Sequence, residues 1–380
     1  MDLLDPPSPD QQLAEDDLAD TLLLSLVSGI GPRLRQALLE RFGSARAVFA
    51  APASLLRTVP GIGVKLAGVL SRARQEIDVT AEIELCRKHQ IAIVPRADAA
   101  YPRSLREIVD PPGVLFVRGE LAPRDALAVA IVGARHATRY GLAQAERLAA
   151  SLSRAGLTIV SGLARGIDGA AHRGALSAGG RTIAVLGSGV LNIYPPEHHD
   201  LAQQVMRQGA VLSEAPVRAA PMSGMFPQRN RLISGMTLGV VVVEAARQSG
   251  ALITARHASE QGREVFAVPG RVDSRMSHGC HQLLRDGAKL VETPEDVLEE
   301  LGPLVAAAPR DDGPPVRHPA ELLLNEVEQA VLEAVHDEAT SIDQVVATSG
   351  LPPQQVLATL SVLEIRRLIR RISGSLVARI

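Results

Sequence analysis

The chain of 380 residues has few aromatic side chains, few cysteines and no long hydrophobic run. Three Tyr, five Phe and no Trp disfavour a surface on which rows of bases stack. The two cysteines, Cys86 and Cys280, are too few for a disulfide framework or a four-thiolate zinc site. The longest apolar run, at residues 238–243, is far shorter than the ~18 residues of a membrane span. The first twenty residues lack the positive start of a signal peptide. We therefore expect a cytoplasmic protein without membrane contact.

An excess of positive charge is also missing overall, since the formal net charge is −2. However, seven of the 42 acids fall within the first twenty residues, which leaves 40 bases against 35 acids in the remainder, a net charge of +5. All but three of the bases are Arg, whose planar guanidinium suits phosphate groups. A genome rich in G and C would give the same preference for Arg, so composition alone does not decide for a nucleic-acid partner.

Composition and periodicity divide the chain into five parts. Residues 1–19 are predicted to be an acidic disordered tail, and residues 20–88 a helical domain. Residues 89–302 are predicted to form an α/β domain, followed by a proline-rich linker at 303–320. Three helical segments and a hairpin in residues 321–380 indicate a winged helix. The length of 380 residues also favours two or three folded domains, because a domain usually contains about 100–200 residues.

The helical part contains a repeated glycine motif. Gly29-Ile30-Gly31 has a second copy at Gly61-Ile62-Gly63, and each lies between two helical segments. The pattern resembles a tandem, SAM-like helix-hairpin-helix, in which glycines permit a tight turn and helix amides face a phosphate. The second copy has the small Ala67 where helices would pack closely, whereas the first has Arg35. A purely structural or protein-binding role for this domain stays open.

From residue 128 onwards, short apolar runs alternate with helical segments. The runs expected to be strands are residues 128–132, 157–160, 182–186, 210–212, 239–243 and 264–267. Most show no alternation of polar and apolar residues, which is typical of strands buried on both faces of a parallel sheet. The pattern predicts an extended Rossmann-like, doubly wound α/β fold. Its ligand site should lie beyond the carboxyl ends of the strands.

The candidate site consists of the turns after these strands. Glycines, exposed helix amides and Arg side chains would gather there and attract anions. The residues expected to contact a polyanion are Gly133, Ala134, Arg135, Ser161, Gly162, Arg165, Gly166, Arg229, Asn230, Arg231, Ser249, Gly250 and Thr254. Between residues 128 and 190, seven Arg accompany only two acids, which favours several phosphates in a row. For the Arg229–Arg231 segment, ion pairs with Glu214 or Glu244 are the alternative.

The sequence gives little support for catalysis. It has no G-x-x-x-x-G-K-[ST] motif, and the turn at Gly187–Gly189 lacks the third glycine of a dinucleotide fingerprint. Asp168 and Glu244 are expected to cap helices or pair with Arg rather than to act as a base or bind Mg²⁺. The segment His278–His281 offers three metal-binding side chains without a distant fourth. We therefore predict no catalytic residue, no metal and no cofactor.

An ordered series of segments within residues 89–295 carries a family resemblance. These segments are Ile131–Arg135, Ser161–His172, Ala184–Gly189, Tyr194–Pro196, Phe226–Arg231, Glu244–Ala245, Ser249–Ala255 and Val268–Gly270. Together they closely resemble the DprA (Smf) family of DNA-processing proteins. Two residues depart from the family pattern: Ala134 replaces the usual Ser or Thr, and His281 replaces the usual Asn.

The resemblance implies a Rossmann-like domain that binds single-stranded DNA, forms a homodimer, and helps to load RecA past single-strand-binding protein in natural transformation. It implies no catalysis. The Gly133–Arg135 turn, Ser161-Gly162, Arg165 and Arg229–Arg231 would line the DNA groove. We expect the substitution Arg135→Ala or Arg229→Ala to weaken binding and leave the fold intact.

Two other classes of function stay open. One is a Rossmann-type hydrolase that acts on nucleoside phosphates, and the other is a protein-docking scaffold. The winged-helix part is equally undecided between duplex contact and a structural role. Its third helix offers the uncharged Gln354, Gln355 and Thr359 where a DNA reader would carry Arg or Lys.

Overall fold

The computed structural model describes residues 9–302, 308–310, 313–316, 324–366, 368–373 and 375–379. Six helices form the N-terminal domain: α1 (Pro9–Leu26), α2 (Pro32–Phe42), α3 (Ala45–Ala50), α4 (Ala53–Leu56), α5 (Val64–Glu76) and α6 (Val79–Lys88). Their apolar faces enclose a separate hydrophobic core. Within the described ranges, no helix is both long and apolar enough to cross a membrane.

The predicted disordered tail is wrong from Pro9 onwards, because α1 begins there. Residues 1–8 lie outside the described residues. The C-terminal part of α1 is anchored, since Leu22 and Leu24 are fully buried. A helix extends readily from an anchored turn, and proline is tolerated in the first turn because its missing N–H has no partner to lose. The acidic composition therefore did not indicate disorder.

The two glycine motifs form a pair of hairpins that pack against each other reciprocally. Gly29 and Gly61 adopt the left-handed φ values of 85° and 88°. A Cβ on Gly29 would lie 2.9 Å from Leu66 Cδ2, and one on Gly61 would lie 2.8 Å from Leu34 Cδ2. Each glycine thus contacts the leucine in the first turn of the other copy's second helix. This symmetry explains the repeat that the sequence shows.

A nine-stranded sheet forms the centre of the molecule. Its strands are β1 (Ala92–Pro95), β2 (Val114–Gly119), β3 (Ala128–Val132), β4 (Thr158–Ser161), β5 (Thr182–Val185), β6 (Ala210–Ser213), β7 (Gly239–Val242), β8 (Glu264–Ala267) and β9 (Lys289–Leu290). The order is β1-β2-β6-β5-β4-β3-β7-β8-β9, and the strands from β6 to β9 are parallel. The six predicted strands and the doubly wound fold are confirmed.

Helices cover both faces of this sheet. They are α7 (Arg103–Arg106), α8 (Arg139–Arg154), α9 (Ile167–Ser177), α10 (His199–Gln208), α11 (Met225–Gly235), α12 (Gly250–Glu260), α13 (His278–Arg285) and α14 (Pro294–Leu301), with 3₁₀ turns at Pro123–Ala126 and Pro196–His198. The main core lies on the face of α11 and α12, and a second core lies under α8 and α9. The strand order reverses between β3 and β7, which is where ligands bind in such folds.

The C-terminal domain has its own core and the predicted three helices. They are α15 (Glu326–Glu333), α16 (Ile342–Ser349) and α17 (Pro353–Ile365). Strands β12 (Thr340–Ser341), β13 (Ile369–Ser373) and β14 (Leu376–Arg379) form a sheet in the order β12-β14-β13. This is the winged-helix arrangement that the sequence indicated.

The predicted linker at residues 303–320 is not without secondary structure. Its described residues form β10 (Ala308–Arg310) and β11 (Gly313–Val316), which pair in an antiparallel ladder. Residues 303–307, 311–312 and 317–323 lie outside the described residues. Prolines at the ladder's edge are compatible with this pairing, because an edge strand leaves some N–H positions unused.

Candidate nucleic-acid interface

A cleft of about 690 Å³ lies at the carboxyl ends of β3 and β7, at the point where the strand order reverses. Several of the site residues predicted from the sequence line this cleft. The predicted site residues that line the cleft are Gly133, Ala134, Arg135, Arg229, Asn230, Ser249, Gly250 and Thr254. Ser161, Gly162, Arg165, Gly166 and Arg231 do not line it.

The turn after β3 forms one wall and leaves Arg135 exposed. It packs so closely that a Cβ on Gly133 would lie 2.6 Å from Ile167 Cγ1. The amide of Ala134 donates to the Glu244 carbonyl at 2.7 Å. The Glu244 carboxylate accepts from the backbone amide of Thr138 at 2.8 Å and from its hydroxyl at 2.6 Å, so it caps α8. The predicted capping role of Glu244 is confirmed, and its proposed ion pair with Arg229 or Arg231 is wrong.

Two aromatic rings lie at the same wall and were missed from the sequence. The Arg135 guanidinium lies 5.2 Å from the Phe226 ring centroid, within the range of a cation–π contact. The Tyr194 and Phe226 rings are 5.8 Å apart, and both line the cleft. The scarcity of aromatics argues against rows of stacked bases, but it carries no information about one pair brought together by folding.

Arg229 lies in the floor of the cleft with only 5% of its surface accessible. Its Nη1 donates to the carbonyl of Gly162 at 2.7 Å and also to the carbonyl of Val185. Burial lowers the pKa of Arg229 to about 10, and the negative charge of Asp168 opposes this shift. Arg229 therefore ties the ends of β4 and β5 to α11. These contacts argue against the expectation that Arg229 could be removed without disturbing the fold.

The turn after β4 is held by internal hydrogen bonds. The Ser161 hydroxyl donates to the Ile131 carbonyl at 2.7 Å, and Ser161 is fully buried. Asp168 accepts from the amides of Gly162 at 3.1 Å and Ala164 at 3.3 Å. Burial raises the pKa of Asp168, while Arg229 and these amides lower it. Ser161 and Gly162 therefore shape the floor of the cleft from below, and the buried Ser161 side chain gives no support to its predicted direct DNA contact.

Arg231 lies on the far side of α11 from the cleft. Its guanidinium is buried and pairs with Glu214, and its Nη1 donates to the Asp110 carbonyl at 2.8 Å. The Arg231 Nε also lies 3.5 Å from the Asp110 carboxylate. The ion-pair alternative is therefore confirmed for Arg231 with Glu214. These partners occupy the guanidinium, and Arg231 does not line the cleft, so the structure gives no support to its predicted DNA contact.

The opposite wall is the beginning of α12. Ser249 caps the helix by accepting from the Ala251 amide at 3.3 Å, and Gly250 begins it. Asn230 joins α11 to this turn, since its Nδ2 donates to the Gly250 carbonyl at 3.2 Å. Thr254, one turn further on, is buried and lines the cleft. Amide groups at a helix N-terminus favour a bound anion.

Arg165 and Gly166 lie beside the cleft. Arg165 is exposed and pairs with Glu197, so this guanidinium already has a surface partner. Gly166 has a φ of 74°, and a Cβ there would collide with the Ala134 carbonyl. Gly166 is thus required for the close approach of two turns.

The His278–His281 segment begins α13 and serves packing. The Cys280 thiol is buried and points to the Val242 carbonyl at 3.5 Å, and burial raises its pKa to about 12. The His281 Nε2 lies 3.0 Å from the Gly270 carbonyl. Across the part of the chain that the structure describes, no three His, Cys, Asp or Glu side chains are grouped so as to hold a metal ion.

Comparison with protein families gives three consecutive matches. Residues 92–302 match the model of the DNA recombination-mediator protein A. Residues 20–71 match a SAM-like helix-hairpin-helix tandem, and residues 314–375 match the DprA winged helix domain. The chain belongs to the DNA recombination-mediator protein A family.

Individual relatives extend over most of the chain. The Smf protein of Synechocystis is 34% identical over 95% of this chain and 98% of its own. The Smf protein of Escherichia coli is 42% identical over 75% of this chain and 76% of its own. The family resemblance found in the sequence is therefore confirmed.

Solved structures of two family members resemble this fold. DprA of Streptococcus pneumoniae superposes with a TM-score of 0.65 at 36% identity and covers 74% of this chain and 97% of its own. DprA of Helicobacter pylori gives 0.51 at 30% identity and covers 56% of this chain and 95% of its own. The H. pylori protein has a unique mode of single-stranded DNA binding.

Proposed function

We propose that this recombination mediator captures single-stranded DNA in the cleft between β3 and β7 and delivers the strand to RecA past single-strand-binding protein. The observation that carries the proposal is the exposed Arg135, stacked on Phe226 at the mouth of a cleft whose opposite wall is a helix N-terminus. The single-stranded DNA binding of the H. pylori relative supports it.

The geometry suits a strand whose bases are free. Arg135 and the positive end of the α12 dipole attract phosphates, while the Phe226 and Tyr194 rings offer one place for a base to stack. A duplex keeps its bases inside and cannot use those rings. Because contacts to the backbone dominate, affinity should fall steeply with salt and depend little on base identity.

We further propose that the protein acts as a homodimer, in the cytoplasm where RecA meets the strand. The proposal is supported by the resemblance to the DprA (Smf) family, which implies a homodimer. Two clefts on one assembly would bind a single strand more tightly than one. Light scattering should give a mass near twice the 40.2 kDa of one chain.

We propose that binding proceeds without catalysis. Asp168 is buried and hydrogen-bonded to backbone amides, and the Glu244 carboxylate caps α8, so both carboxylates already have structural partners. The competing function is a hydrolase of nucleoside phosphates. Incubation with nucleoside monophosphates distinguishes the two, because release of free base or phosphate would favour the hydrolase.

The decisive experiment measures fluorescence anisotropy of a labelled oligo-dT strand and of a duplex of equal length at several salt concentrations. We expect the single strand to bind more tightly. Arg135→Ala should weaken binding and reduce the slope of log affinity against log salt by about one, since about one phosphate contact is lost. The matched control is Arg154→Ala, which removes an exposed Arg from the other end of α8.

The control should bind like the unchanged protein. Equal affinity for the duplex, or an Arg135→Ala variant that binds like Arg154→Ala, would contradict the proposal. Delivery to RecA is tested separately on a strand coated with single-strand-binding protein. The protein should increase the rate at which RecA covers that strand, and Arg135→Ala should reduce this effect.

A further inference from the structure

The segment 110–113, which precedes β2, connects the N-terminal domain to the cleft. Four consecutive carbonyls in it accept hydrogen bonds from four different places. Asp110 accepts from Arg231, Pro111 from Arg35, Pro112 from the Tyr101 hydroxyl at 3.0 Å and Gly113 from the Arg96 amide at 3.0 Å. The segment is therefore fixed in position by both domains at once.

Arg35 is the contribution of the N-terminal domain. It lies on α2 at the place where the second hairpin has Ala67, and it is 8% exposed. A Cβ on Gly113 would lie 2.6 Å from Arg35 Nε and 2.8 Å from Ser25 Oγ. The glycine is thus required by space, because a side chain there would displace the guanidinium. Burial lowers the pKa of Arg35 to about 10.

Arg231 carries the connection onward to the cleft. It lies on α11 two residues after Arg229, and residues two apart point to opposite sides of a helix. Arg229 and Asn230 line the cleft, whereas Arg231 holds the back of the same helix against Asp110 and Glu214. A shift of the 110–113 segment would therefore move the helix that forms one wall of the cleft.

We propose that Arg35 is a positioning residue for single-stranded DNA capture: through the carbonyls of residues 110–113 and Arg231, the N-terminal domain holds α11 in the position that the cleft requires. This inference rests on the proposed function. It also explains the departure of the first hairpin from the second, since an Arg that leaves its own helix pair to reach Pro111 cannot be replaced by a small residue.

The test compares Arg35→Ala, Arg35→Lys and Arg41→Ala in the full chain. Arg41 is exposed on the same helix, so its removal changes the charge equally without touching the segment. Arg35→Ala should weaken oligo-dT binding about fivefold or more, in the usual range of coupling between sites. Its salt slope should stay unchanged, because no phosphate contact is lost. Arg35→Lys, which keeps one donor, should restore part of the affinity.

A second variant approaches the same contact from the other side. Gly113→Ala places a methyl group against the Arg35 guanidinium and should give the same phenotype. The double variant Arg35→Ala/Gly113→Ala should bind no more weakly than either single one, because both break one contact. Hydrogen exchange should rise at the amides of α11 in each variant and stay constant in α15 to α17.

Three outcomes would overturn the inference. Arg35→Ala could bind like Arg41→Ala, or its salt slope could fall as for a direct phosphate contact, or exchange in α11 could stay constant. A failure of the proposed function is distinguishable, because the unchanged protein would then not bind oligo-dT at all. If Arg35→Ala unfolds the N-terminal domain, the oligo-dT affinity and the α11 hydrogen exchange of Gly113→Ala still test the inference.

Discussion

Arg229 joins β4, β5 and α11 at the floor of the cleft, so its removal should lower the stability of the protein. Arg229→Ala would remove a hydrogen-bond donor from the buried carbonyls of Gly162 and Val185 and a positive charge from beside the buried Asp168. We expect a loss of about 3 kcal/mol or more in the free energy of unfolding. Urea unfolding measures it. The control Arg165→Ala removes an exposed cation, whose ion pair with Glu197 is screened by solvent, and should leave the unfolding midpoint nearly unchanged. Similar unfolding midpoints in both variants would contradict the structural role of Arg229.

His172 should make stability depend on pH. It is fully buried, its Nδ1 lies 2.7 Å from the Thr182 hydroxyl, and burial lowers its pKa from 6.5 to about 3. Between pH 6.5 and 3 the unfolded chain therefore binds a proton that the folded chain does not. Stability falls as the pH is lowered through this window, by about 1.4 kcal/mol per unit.

His172→Asn tests this dependence because an amide can still reach Thr182 but does not titrate. Between pH 7 and pH 5, the unchanged protein should lose about 2 kcal/mol more than this variant in urea unfolding. His199→Asn, at an exposed histidine, is the control and should behave like the unchanged protein. Parallel losses in all three proteins would show that His172 does not cause the effect.

Individual residues show which parts of the site could be predicted from the sequence and which could not. Gly133, Arg135 and Ser249 could be assigned to the cleft because each follows a recognisable buried strand. Arg229 and Arg231 could not be told from exposed cations, since the helix that carries them was not predicted and burial depends on distant carbonyls. The Phe226–Tyr194 pair depends on two loops meeting, and no local pattern encodes that.

At the scale of elements, the repeated hairpins offer a prediction with an internal control. Gly29→Ala would impose a φ of 85° on a residue with a Cβ and bring that Cβ within 2.9 Å of Leu66. We expect a loss of about 1–3 kcal/mol in stability. Gly31→Ala should cost little, because nothing lies within 4 Å of a Cβ there and its φ is −75°.

Thermal unfolding of the two glycine variants measures the difference. The double variant Gly29→Ala/Leu66→Ala separates space from backbone strain. If crowding dominates, removing the leucine should recover part of the stability; if the positive φ dominates, it should not. Equal stability of Gly29→Ala and Gly31→Ala would contradict the reciprocal packing of the hairpins.

Elements were predictable wherever one local signal was strong. The buried parallel strands are continuous apolar runs, and the winged-helix hairpin consists of two short segments joined by the turn residues Ser373-Gly374-Ser375. The part of α1 before residue 20 was missed because its acidic composition suggested a solvated tail, whereas the helix is anchored by Leu22 and Leu24 at its other end. The packing of these buried leucines stabilises a helix that the acidic composition alone did not indicate.

At the scale of the whole molecule, the C-terminal domain separates its charges sharply. Residues 324–364 contain no Lys or Arg, and the following stretch contains Arg366, Arg367, Arg370, Arg371 and Arg379. Arg366 pairs with Glu328, and Arg371 pairs with Glu364. The helix in the place of a DNA reader, α17, exposes Leu357 and Val362. Its Thr359 is buried, so it cannot read a base.

Removal of residues 308–380 should therefore leave capture of single-stranded DNA intact. The cleft is built from the central sheet, and the C-terminal domain has a core of its own. We expect the truncated protein to bind oligo-dT within about twofold of the full chain, with a salt slope changed by less than about one phosphate contact. Anisotropy titrations at two salt concentrations measure both quantities. A slope lower by two or more would place part of the strand on the basic hairpin β13–β14, and the cleft would then be only part of the interface.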